Sequence, residues 1–105
     1  MWDKKPTVFF GTTYSENGTT MSIPLSAFPV TNATETDAVQ GDSRSMIHGL
    51  LDGLATRFAA LPTADRPTQM NITRSLGAIN DQQRFRVTYT ITFTVQAGTI
   101  EVADE

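Results

Sequence analysis

The sequence predicts an α+β fold: a two-layer sandwich of order ββαββ, with a roughly four-stranded antiparallel sheet covered on one face by one amphipathic helix. Three observations predict it. Residues 84–96, RFRVTYTITFTVQ, alternate apolar and polar side chains without a break, which is the period of a half-buried strand. Residues 43–62, SRSMIHGLLDGLATRFAALP, repeat their apolar positions at helical spacing. Polar, turn-forming breaks divide the remaining β-prone stretches into hairpins on either side of that helix. A chain of 105 residues suits a single domain, 1–105. Hydrophobic residues are 39% and charged residues 18%, and the balance of Thr, Ser, Asn and Gln favours sheet over helix.

The elements follow in order. Residues 7–23 read as a first hairpin, with Asn17-Gly18 as a turn that tolerates positive φ. Pro24 cannot donate to a ladder, so the second strand ends near Ile23 or lies at an edge. Residues 26–42 have no sustained period and form an irregular connection; Thr34 and Asp37 have capping-box spacing. The helix spans 43–61, capped by Asp42 or Ser43 and ended by Pro62. Its expected core stripe is Ile47, Leu50, Leu51, Leu54, Phe58 and Leu61. A second hairpin covers 68–97. Either a two-residue loop at Asn80-Asp81 or a four-residue loop from Asn80 to Gln83 matches the apolar faces, because a register shift of two preserves facing. Gly77-Ala78 is a candidate bulge. Gly98 interrupts the last strand, residues 99–102 can add a short terminal piece, and 103–105 fray.

Charge and cysteine content exclude several functions. The net charge is −3 with no basic run, which argues against a phosphate-reading nucleic-acid surface and against a basic membrane-surface helix. No stretch has the ~20 apolar residues of a membrane span. There are no cysteines, hence no disulfides, thiolate metal sites or cysteine nucleophiles. The opening residues lack the apolar run of a secretion signal, so the sequons at Asn17, Asn32 and Asn71 are read as accidents of composition. No cofactor is expected: phosphate loops, dinucleotide fingerprints and nucleophile elbows are missing.

Few residues invite a chemical role. His48 is the single histidine and lies four residues before Asp52, so the pair can touch on one helix face; without a nucleophile or oxyanion motif it reads as a surface contact. Glu35, Asp37 and Asp42 lack the spacing of a calcium loop and read as loop and cap residues. Arg84 and Arg86 fall on the polar side of the long strand, Arg66 lies in the link before the second hairpin, and Arg74 falls on the apolar parity, where its stem can carry the charge to water. Trp2 docks either on its own core or on a partner.

Two surfaces are candidates for self-association. The second face of the long strand carries Thr88, Thr90, Thr92 and Thr94: a solvent face, a subunit contact or a ligand groove. Gly49, Gly53, Thr56 and Ala60 cluster on the helix side opposite the apolar stripe, and small residues there let another backbone come close.

IPLSAFP, the link QGDSR, the helix and the strand VTYTITFTV together resemble small structural proteins of tailed bacteriophages, marine cyanophage types among them. The resemblance spans residues 22–95. It implies a virion-associated or assembly role, a location in the virion or the host cytoplasm, and partners that are copies of the chain or other virion proteins. It transfers no functional residue. The expectation is a non-enzymatic, self-associating structural protein. The rivals are a small enzyme or ligand-binding subunit, marked by His48, Tyr14 or Tyr89 in one cavity with a buried arginine, and an adaptor that binds a partner by strand addition, with the C-terminal piece as the better edge for it.

Overall fold

The computed structural model describes residues 4–79 and 84–103. The readings placed on Trp2, on the loop from Asn80 to Gln83 and on fraying at Asp104 and Glu105 lie outside the described residues. The fold is α+β with two small antiparallel sheets and one main helix. The described residues divide into two compact units, one of 4–60 and one of 61–79 with 84–103.

The first unit opens with a short helix, α1 (Pro6–Phe10), where a strand was expected. Pro6 sits in its first turn, where a fixed φ favours helix and the missing N–H costs nothing. Phe9 is buried and α1 packs on the main helix, so tertiary burial overrides the β-propensity of Thr7 and Val8. Gly11, at φ +100°, ends the helix. The expected hairpin shrinks to β1 (Ser15–Glu16) paired with β2 (Met21–Ser22). Its turn is held by side chains: Asn17 Oδ1 accepts the N–H groups of Thr19 and Thr20 at 3.0 and 2.8 Å, and Gly18 supplies the positive φ. After Pro24 the chain makes one 3₁₀ turn, Leu25–Ala27.

The irregular connection is a series of side-chain-stapled turns. The reciprocal box forms at Asn32 and Glu35, not at Thr34 and Asp37. Asn32 Oδ1 accepts the Glu35 N–H and Glu35 Oε1 accepts the Asn32 N–H, both at 2.9 Å; Glu reaches back where the shorter Asp cannot. Asp37 Oδ1 accepts from Val39 and Gln40. Asp42 Oδ1 caps α2 (Ser43–Ala60) by accepting the Arg44 N–H at 2.9 Å.

The buried side of α2 differs from expectation. Phe58 is buried, but so are Gly49, Gly53 and Ala55, while Ile47 is 60% exposed. Segment 27–31 lies on the glycines: a Cβ on Gly53 would stand 2.6 Å from the Ala27 oxygen, and one on Gly49 would stand 2.8 Å from the Pro29 oxygen. Arg57 ties the assembly together, donating to Phe9 O at 2.6 Å and to Ser26 O at 3.0 Å. Both acceptors are carbonyls near the C-terminal ends of short helical turns, where a cation is favoured.

The second unit is built on one long hairpin, β3 (Met70–Ile79) and β4 (Arg84–Phe93). Its register is that of the four-residue loop: Ile72 faces Ile91 and Leu76 faces Val87. Pairing runs unbroken through Gly77↔Arg86 and Ala78↔Phe85, so no bulge forms there. Beyond β4, Val95 bridges Val102, and a turn closes from Thr99 N to Gln96 O at 3.1 Å. The sheets stay separate with two strands each. A single four-stranded sheet is therefore not found among the described residues: β1 and β2 have two residues each and pair only with one another, against ten in β3 and in β4.

Candidate self-association surface

The two faces of the β3–β4 hairpin follow from alternation. Thr73 faces Thr90, Ser75 faces Thr88 and Asn71 faces Thr92, all exposed, so the hydroxyl face is continuous across both strands. Thr94, also exposed, continues it beyond the last ladder pair and donates its N–H to Gln69 O at 2.8 Å. The opposite face carries Ile72, which is buried, and Val87, Tyr89 and Ile91, which are half-buried. Towards its ends this face opens to solvent: Leu76 is 72% exposed, Phe85 70% and Phe93 49%. Arg74 sits on the apolar side opposite Tyr89 and is exposed.

The bond from Thr94 to Gln69 also sets the phase of the ladder. It lies one step beyond the pair Met70↔Phe93. Antiparallel partners alternate between bonded and non-bonded pairs, so the Thr-bearing pairs carry the interstrand bonds. The N–H and C=O groups of Phe85, Val87, Tyr89, Ile91 and Phe93 consequently leave β4 on the side away from β3. No strand among the described residues lies beyond that edge. The C-terminal piece does not cover it either. Thr94 donates to Gln69 and accepts from Ala103 at 3.0 Å, so residues 101–103 take over the edge that β3 has left.

The helix half of the expected surface is not available to another copy. Gly49 and Gly53 are buried under residues 27–31 of the same chain. Ala60, at the end of α2, is exposed. The small residues do admit a close backbone, but an internal one, which sequence spacing cannot distinguish from a partner. The residue that reasoning passed over is Arg57; the signal was a cation four positions after Gly53, on the same helix face.

His48, Tyr14 and an arginine do not share the depression beside β1 and β2. His48 is exposed on α2. Tyr14 lines an open depression of about 300 Å³ with Glu16, Gly18, Thr19, Thr20 and Met21, and its hydroxyl contacts Met21 Sδ at 3.7 Å. Neither His48 nor an arginine lines that depression. Among the described residues no charged side chain is buried, no group of three metal-ligating side chains gathers, and no helix is long and apolar enough to cross a membrane. The acidic residues of the connection serve the backbone. Hydrogen bonds from Gln40 and Val39 hold the Asp37 carboxyl below its usual range, and the Arg44 guanidinium does the same for Asp42.

No family model matches the chain, and no curated protein or solved structure matches it.

Proposed function

We propose that this protein is a non-enzymatic structural or assembly protein of phage type that works by associating with copies of itself. One observation carries the reading: a hairpin of two ten-residue strands that turns Leu76, Phe85 and Phe93 to solvent on one side and, on the other, a hydroxyl ladder charged only at its turn end by Arg84 and Arg86. Leu76 and Phe85, diagonal neighbours at the turn end of the apolar face, expose apolar surface of the kind that marks a contact, and Phe93 does so separately at the other end. The hydroxyl ladder adds depletion of charge, which is the compositional sign of interface centres. The resemblance to small phage structural proteins supplies the biological setting.

Light scattering coupled to size-exclusion chromatography over a wide concentration range tests the proposal. A mass that rises to a defined multiple of 11.5 kDa is the expected result. A strict monomer at every concentration overturns it.

A further inference from the structure

We infer that the tip of the first hairpin modifies itself: the Gly18 nitrogen attacks the Asn17 side-chain amide, Glu16 takes the proton, and Asn17 is converted to aspartate and isoaspartate. This chemistry needs no second copy of the chain and is independent of the self-association reading.

The reaction requires a backbone nitrogen that can reach the side-chain carbon one residue back. Glycine obstructs that approach least, because it has no Cβ. Asn17-Gly18 is such a pair, and both residues are exposed. Gly18 has φ +89°, and nothing lies within 4 Å of its Cβ position.

Two further features set catalytic groups on the reacting atoms. The Gly18 N–H donates to Glu16 Oε2 at 2.6 Å, so a carboxylate already holds the proton that must leave the nucleophile. Asn17 Oδ1 accepts the N–H groups of Thr19 and Thr20 at 3.0 and 2.8 Å. Those donors aim at the oxygen on which negative charge develops when Cγ is attacked, at the roughly 2.7–3.1 Å that stabilises an oxyanion. The N–H of Asn17 itself donates to Thr20 O at 3.1 Å, which closes the turn around all three parts.

The Gly18 nitrogen bonds to Asn17 Cγ as its proton passes to Glu16. The tetrahedral centre collapses with loss of the Cγ–Nδ2 bond, and Nδ2 leaves as ammonia with the proton returned by Glu16. Water then opens the cyclic imide at either carbonyl, giving aspartate or isoaspartate. Water is the only co-reactant, and the depression lined by Glu16, Gly18, Thr19 and Thr20 is open to it. The product carries a new negative charge next to Glu16. Isoaspartate also adds a methylene to the backbone. With two residues in each strand, β1 and β2 have no spare pairs to absorb it, so the hairpin opens.

Among the described residues the other asparagines lack this arrangement. Asn32 precedes Ala33, and the carboxylate beside it, Glu35, accepts the N–H of Asn32 itself. Asn71 precedes Ile72, branched and buried, within the β3–β4 ladder.

Peptide mapping by mass spectrometry, with the released ammonia counted, follows the conversion in the full chain, native and unfolded in urea. The native rate at Asn17 should exceed the unfolded rate by roughly a hundredfold, the lower end of what a positioned base contributes. Glu16→Gln keeps a hydrogen-bond acceptor but no base. It should bring the native rate down to the unfolded one while the circular dichroism spectrum stays the same. Among the residues lining the depression, Glu16 is the one charged group and Tyr14 the one other titratable group. The wild-type rate should therefore fall as the carboxylate is protonated in acid, whereas that of Glu16→Gln should follow hydroxide alone. A native rate equal to or below the unfolded rate means that the turn protects the amide, and the inference falls. It falls equally if Glu16→Gln converts as fast as wild type, or if Asn32 or Asn71 converts as fast as Asn17.

Discussion

Replacing Gly53 by alanine separates two views of α2. On an exposed helix the change stabilises, because Gly is about 1 kcal/mol worse than Ala. Here the new Cβ would stand 2.6 Å from the Ala27 oxygen and 3.0 Å from Pro29 Cδ. Contacts to carbon become favourable only near roughly 3.5 Å, so the Ala27 carbonyl must withdraw by about 0.9 Å. Adding a methyl to a closed contact costs about 1–3 kcal/mol. Subtracting the propensity gain leaves a net loss of about 0–2 kcal/mol, with a fall in melting temperature of about 4–8 °C for each kcal/mol lost. Gly77→Ala is the control of opposite sign. Nothing lies within 4 Å of its Cβ position, so relief of the strand-glycine penalty should stabilise by about 0.5–1 kcal/mol. Thermal unfolding followed by far-ultraviolet circular dichroism reads both. A Gly53→Ala protein that melts higher than wild type would refute the packing of residues 27–31 on the helix.

Arg57→Met removes the hydrogen bonds to Phe9 O and Ser26 O. It should cost about 2 kcal/mol in urea unfolding, the range for bonds made by a charged donor, and an unchanged midpoint would show that those bonds carry nothing. Acid should loosen the connection before α2. The Asp37 and Asp42 carboxyls sit below the model-compound value of 3.8, so the stability they contribute is present above 3.8 and is lost as pH falls through their folded values. Amide exchange at Val39, Gln40 and Arg44 should accelerate over that window, and Asp42→Asn, which keeps the cap, should flatten the response at Arg44. Val30 has φ +61°, a conformation costly for a β-branched residue. Val30→Asn should raise stability by about 0.5–1 kcal/mol, and a loss on calorimetry would count against strain at that turn.

Much of the architecture was legible where one signal dominated. The unbroken alternation from Phe85 to Phe93 admits only a strand, and α2 runs to within one residue of the span its periodicity marks. Local signals misled where burial outweighed them. Thr7, Val8, Phe9 and Phe10 are β-prone one by one, yet Pro6 and the burial of Phe9 make them helical. The glycine side of α2 was open to two readings, a contact with another copy or a helix face in water, and the backbone that lies on Gly49 and Gly53 is that of residues 27–31 of the same chain; spacing along a helix holds no information about which backbone approaches.

By itself the sequence determined the α+β class, the main helix and the long hairpin with its two chemically distinct faces. These follow from periodicity and composition, which act over a few residues. Only the tertiary structure decided that the two hairpins remain separate sheets, that Gly49 and Gly53 bury against residues 27–31, and that the outward backbone groups of β4 belong to its apolar residues. The physical reason is common to all three. Each depends on which distant segments meet and in which hydrogen-bonding phase, and alternate registers two residues apart present the same side chains to the same face.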